Sequence, residues 1–198
     1  MNRRSFALVL VLPLLASCLL AATPEQPAPK VKPALLVIDT QNAFLPYMSE
    51  EDKDRAFEVI NAAIALFRDA GFPVVRVYHS EPGRGPEPGT EAFVFPKTIA
   101  VKDSDPKVVK HYGDAFNKTD LDRILKESGS NTLFLTGLSA VGCVFATYHG
   151  AENHDYDAFM VKDSLISHDA ALTRSVHEMT QTISFSALRL VVRMAKAQ

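Results

Sequence analysis

The stretch Pro33-Ala34-Leu35-Leu36-Val37-Ile38-Asp39 decides the fold. Five consecutive apolar residues end abruptly in a charge. Such a run suits a strand buried on both faces, as in a parallel sheet covered by helices. Working outward, residues 52–71 carry Phe57, Ile60, Ile64 and Phe67 at spacings of three and four, with Gly71 as a stop, which predicts a helix. Residues 73–79, rich in β-branched Val, predict a second strand. Residues 81–90 hold Pro82, Gly83, Gly85, Pro86, Pro88 and Gly89 and read as a loop. Strands are expected at 107–110, 131–136, 156–161 and 182–185, and helices at 119–128, 141–153, 170–179 and from 186 onward. This alternation predicts an α/β fold, a three-layer sandwich around a mainly parallel sheet of about six strands.

Ligands of such sheets bind beyond the carboxyl ends of the strands. Three chemically active side chains fall on that edge. Asp39 ends the first strand, Lys110 ends the third, and Cys143 follows the fourth after Gly137-Leu138-Ser139-Ala140-Val141-Gly142. Each has an ordinary alternative: a strand-end Asp caps turns, a strand-end Lys is commonly solvated, and a lone Cys is commonly buried. Their convergence by topology is what singles them out. A carboxylate beside a thiol can take its proton, and a neighbouring ammonium can hold the carboxylate charged. A helix N-terminus and a Lys near Cys143 are expected to favour the thiolate. Small residues before the Cys allow a carbonyl to approach the sulfur, with backbone N–H groups placed to hold an oxyanion.

The 198 residues carry a formal net charge of -2 and 47% hydrophobic residues, which suits one globular domain and gives no basic stripe for nucleic acid. The domain is expected to span 33–198. Residues 1–22 read as a signal segment, with Arg3 and Arg4 before a nearly continuous apolar run. Leu15-Ala16-Ser17-Cys18 resembles a lipobox, so Cys18 is the expected lipidation site and the protein is expected to be exported to the periplasm or cell envelope on a lipid anchor. The Pro-rich residues 23–32 read as a linker. With Cys18 set aside, Cys143 is the one thiol of the domain and can form no disulfide within it.

Three segments together resemble the isochorismatase-like cysteine hydrolases, a family that includes nicotinamidases and N-carbamoylsarcosine amidases. They are Leu35 to Phe44, Val108-Val109-Lys110 with Asp114-Ala115-Phe116 and Thr119-Asp120-Leu121 after it, and Gly137 to Val144 followed by Thr147 and Ala151. The resemblance implies Cys143 as nucleophile, Asp39 as general acid/base and Lys110 as third member of a triad. It also implies a cis Leu138–Ser139 bond and an oxyanion hole from the N–H groups of Ser139 and Cys143. Gln41, Asn42, Phe44, His79 and Phe116 are the expected pocket residues. The implied activity is hydrolysis of a non-peptide C–N bond in a small amide or ureido compound, without a cofactor, by a chain that can self-associate. Nicotinamidases follow their second strand with Asp-x-His and further His residues for a metal. Here Val77-Tyr78-His79 supplies one such ligand, so no metal site is expected. The rival expectation is a catalytically weak, membrane-tethered binding or scaffold domain of the same fold, its pocket blocked by residues 81–90.

Overall fold

A computed structural model describes residues 30–198. Cys18, the signal segment 1–22 and residues 23–29 of the linker lie outside the described residues. Among the described residues no helix is long and apolar enough to cross a membrane.

Six strands form one sheet: β1 (Pro33–Ile38), β2 (Val74–His79), β3 (Lys107–Lys110), β4 (Thr132–Leu138), β5 (Asp157–Ile166) and β6 (Thr182–Ile183). Their order is β3-β2-β1-β4-β5-β6, and every neighbouring pair is parallel. The helices are α1 (Glu50–Ala70), α2 (Leu121–Glu127), α3 (Phe145–Asn153), α4 (Ala170–Met179) and α5 (Phe185–Lys196).

The alternation of side chains along β1 builds two cores. Leu35 and Val37 pack with Ile60, Ile64 and Phe67 of α1 and Leu188 and Val192 of α5. Ala34, Leu36 and Ile38 point the other way, among Leu121, Leu125, Val144 and Tyr148 of the α2–α3 side. Each large apolar side chain so buried contributes about 1.5–3 kcal/mol. This is the expected three-layer sandwich. Helix α1 begins at Glu50, two residues before its expected start. The Ser49 hydroxyl accepts from the Asp52 N–H, and Glu50, Glu51 and Asp52 lie in the first turn, where the helix dipole favours acidic groups. Gly71 ends it with φ 80, a left-handed cap that glycine adopts without steric cost.

Strand β5 outruns its expected end at Val161. Between Leu135 and Gly137 of β4 the register shifts, and β5 advances from Met160 to Leu165. The polar Lys162-Asp163-Ser164 bulges out, with Asp163 at φ 64 and the Ser164 hydroxyl donating to the Val161 carbonyl at 2.8 Å. Apolar Leu165 and Ile166 then rejoin the sheet.

Two features prepare the site. β1 lies between β2 and β4, so its carboxyl end is where the strand order changes direction, the place where such sheets open a crevice. The segment between β2 and β3 has no helix or strand of its own, yet it is anchored. Tyr78 stacks on its Phe93 and Phe95 with ring centroids 5.0 and 4.4 Å apart. The N–H groups of Asn42 and Ala43 donate to its Val94 and Ala92 carbonyls at 3.0 and 2.9 Å.

Candidate active site

Asp39, Lys110 and Cys143 meet at this crevice, as their strand-end positions predict. Asp39 leaves β1 with φ 46, a left-handed backbone uncommon for a residue with a side chain. Lys110 is fully buried rather than solvated. Its Nζ donates to Asp39 Oδ2 at 2.7 Å and to the Tyr112 carbonyl at 3.1 Å, and lies 3.3 Å from His79 Nδ1. Cys143 is half-buried, in a wide helical turn, Ala140–Val144, that precedes α3. Gly142 breaks the helical geometry of that turn, with φ -117 and ψ -108. The Leu138–Ser139 bond is cis, as the resemblance implies. At Gly137 the chain reaches φ 105, and a Cβ there would stand 2.1 Å from the Ile38 carbonyl, so glycine lets β4 close against β1 beside the site.

A ring nitrogen of His79, a carboxylate oxygen of Asp39 and Cys143 Sγ all lie within 4.8 Å of one another. Those are the donors a metal ion would use. Such an ion would share the space with the Lys110 ammonium, and the two like charges would repel.

Burial dominates the electrostatics. It raises the Asp39 carboxyl above the usual carboxylate range, and the adjacent Lys110 charge offsets this only in part. Burial also pushes the Cys143 thiol up to about 11, with the Asp39 charge adding to the effect and Lys110 opposing it. The expected resting thiolate is therefore not what this environment favours. Desolvation outweighs the cation, and the thiol keeps its proton at neutral pH. His79 is shifted the other way: burial first, then the Lys110 charge, lower its basicity and favour the neutral ring.

Asp39 Oδ1 is the one buried side-chain polar atom without a hydrogen-bond partner among the described residues. The Ser139 N–H likewise donates to no protein group among them. Asp39 and Ser139 border a cavity of about 210 Å3 lined also by Phe44, Tyr47, Met48, His79, Leu138 and Cys143.

Phe44 and His79 stand in that lining as expected. Gln41 does not. It is fully buried, and its amide clamps the His79 backbone, donating to the carbonyl at 3.0 Å and accepting from the N–H at 2.7 Å. Asn42 donates to the Glu91 carbonyl and carboxylate and so holds the long segment rather than the cavity. Phe116 lies in the α2–α3 core, stacked on His154 with centroids 4.6 Å apart. Tyr47, Met48 and Leu138 were not foreseen. Their one sequence signal is nearness to Asp39 or Cys143, because the short turn Leu45–Tyr47 carries no periodicity. Residues 81–90 contribute nothing to the lining.

The family model described as Isochorismatase domain matches residues 33–189. The chain belongs to this hydrolase family. It is 31% identical over 136 residues to the isochorismatase family protein YddQ of Bacillus subtilis, covering 66% of this chain and 76% of that protein. Among solved structures it is similar to the N-carbamoylsarcosine amidase of Thermoplasma acidophilum, with 26% identity and a TM-score of 0.70 over 78% of this chain and 97% of the other. It shares the fold of an isochorismatase-like hydrolase from Alkaliphilus metalliredigens, with 22% identity and a TM-score of 0.74 over 81% and 98% of the two chains.

Proposed function

We propose that this family member is a cysteine hydrolase that cleaves the C–N bond of a small non-peptide amide or ureido compound through a thioester on Cys143. The observation that carries the reading is the Asp39 carboxylate, which has an oxygen within 4.8 Å of Cys143 Sγ, its Oδ2 tied to Lys110 and its Oδ1 without a partner. One oxygen is anchored and the other is free to accept a proton.

In this reading the substrate carbonyl lies over Cys143. Asp39 takes the thiol proton as sulfur attacks the carbonyl carbon, so negative charge passes from its carboxylate through sulfur to the carbonyl oxygen only when substrate has expelled water. The burial that raises the thiol's pKa favours this coupled transfer. Lys110 keeps the carboxylate oriented and balances its charge. The N–H groups of Ser139 and Cys143 hold the developing oxyanion. Asp39 then returns the proton to the nitrogen, the C–N bond breaks, and ammonia or an amine departs. Water adds to the thioester with Asp39 as base, the C–S bond breaks, and the acid leaves as the thiol is restored.

The test is a screen of small amides and ureido compounds for ammonia or amine release by the wild-type chain and Cys143→Ala. Turnover that vanishes in the variant supports the reading. Equal turnover in both removes Cys143 from the chemistry.

A further inference from the structure

The ring of His79 is positioned more firmly than a residue merely bordering a cavity requires. Gln41 fixes its backbone at two points, and its Nδ1 faces Lys110 Nζ at 3.3 Å. An ammonium has three N–H donors and no acceptor. Two of those of Lys110 go to Asp39 Oδ2 and the Tyr112 carbonyl, which leaves the third for His79. The Nδ1 of His79 must then be the bare, accepting nitrogen. A neutral imidazole with a bare Nδ1 carries its proton on Nε2. The depressed basicity of the ring agrees with this neutral form.

The Nε2 atom has no hydrogen-bond partner among the described residues and is not among the buried unpartnered atoms, and His79 is part of the cavity lining. Apolar side chains share that lining with His79: Phe44, whose ring centroid is 6.2 Å from that of His79, Met48 and Leu138, together with the reacting groups Asp39, Ser139 and Cys143. The cavity, about 210 Å3, is smaller than the roughly 300–1,000 Å3 usual for ligand pockets.

We propose that His79 is a specificity-determining residue whose Nε2–H selects a small, uncharged amide bearing a hydrogen-bond acceptor on its acyl portion. This rests on the hydrolase reading above and names its substrate class. A donor among apolar side chains rejects an analogue that lacks the acceptor, because the N–H loses water and gains no partner. The same side chains disfavour a carboxylate or ammonium on the acyl group.

The experiment compares matched amides on the full-length chain: 2-methoxyacetamide against butanamide, and 3-methoxypropanamide against pentanamide, each pair exchanging an ether oxygen for a methylene. Wild type should favour the ether member of at least one pair in kcat/KM by about tenfold or more. His79→Phe should bring that ratio to near one, and His79→Gln, which keeps a donor, should retain part of it. The same preference in His79→Phe as in wild type, or none in wild type, overturns the proposal. A second readout stands apart from turnover. In 15N-histidine-labelled protein, with His79→Gln for assignment, His79 should show a pyridine-type Nδ1 and a pyrrole-type Nε2 at neutral pH. The Nε2 signal should move when the ether amide is added to Cys143→Ala and stay still with its methylene partner. A protonated Nδ1, or an equal response to both amides, overturns the proposal even if no amide is hydrolysed. Turnover indifferent to Cys143→Ala would instead remove the hydrolase reading and leave the His79 signals to stand or fall separately.

Discussion

Two ion pairs tie strands of this sheet to neighbouring carboxylates, and their geometries are close. Lys110 Nζ lies 2.7 Å from Asp39 Oδ2, and Arg76 Nη1 of β2 lies 3.1 Å from Asp103 Oδ1. Their surroundings differ. The side chains of the first pair are 0% and 2% exposed, whereas in the second Arg76 is 10% exposed and Asp103 stands fully in water. Arg76 also donates to the Asp103 and Asp105 carbonyls, so it fastens the returning end of the long segment to the sheet whether or not the Asp103 carboxylate helps. In water such a pair is worth about 0–1 kcal/mol. In the dry crevice, desolvation exceeds the attraction and lifts the Asp39 carboxyl above its usual range. The same pairing is a fastener at one place and a proton-accepting device at the other, and solvent makes the difference.

Breaking the dry pair should have the largest effect. Lys110→Met leaves a buried carboxyl without its cation. If Lys110 orients the base, kcat/KM should fall by about a thousandfold or more, the loss expected when a unit of acid–base machinery is disabled. Stability should fall by about 3–5 kcal/mol when Asp39 is charged. The pH dependence follows from the direction of the Asp39 shift. A carboxyl raised in the folded state binds its proton more tightly there than in the unfolded chain. Folding is then favoured fully below the unfolded value near pH 4 and loses about 1.4 kcal/mol per pH unit as pH rises toward the folded value. Removing Lys110 raises that value further, so the deficit of the variant should widen with pH in denaturant titrations. A deficit independent of pH would mean that Asp39 does not carry it.

The convergence of Asp39, Lys110 and Cys143 was legible because it needs only strand ends and their order, and the apolar runs of β1, β2 and β4 mark those ends. The dryness of the Lys110–Asp39 pair was not. A strand-end Lys is solvated or buried according to what closes over it, and here His79 and the Tyr112 carbonyl complete its shell. Gln41 and Phe116 stand close in sequence to Asp39 and Lys110, but proximity along the chain does not say which way a side chain turns. One faces back to the His79 backbone and the other into the α2–α3 core. The second half of β5 was hidden by Lys162-Asp163-Ser164, polar residues that interrupt the apolar pattern where the strand bulges.

Intermediate in size is the effect on the thiol itself. Burial and the Asp39 charge hold Cys143 near 11, with only partial relief from Lys110. Alkylation by a small neutral haloacetamide reports the thiolate fraction of the free enzyme. Its rate should climb about tenfold per pH unit across the neutral range and still rise at pH 9. A plateau below pH 8 would show a preformed thiolate, and the dry pair would then be acting as a simple cationic partner of the sulfur.

The wet pair offers the smallest and sharpest contrast. Asp103→Ala removes one carboxylate from Arg76 but leaves the Asp103 and Asp105 carbonyls that the guanidinium also reaches. The lost attraction is screened by water and salt, and the freed side chain regains its rotamers. The midpoint of denaturant unfolding should therefore move by no more than about 0.5 kcal/mol in equivalent stability, with turnover unchanged. Raising the salt concentration should shrink even that difference, while the effect of Lys110→Met, shielded from ions, should persist. If Asp103→Ala proved as damaging as Lys110→Met, exposure could not be what separates the two pairs. The fastening of the long segment would then have to reach the crevice through Tyr78, Phe93 and the backbone contacts of Asn42 and Ala43.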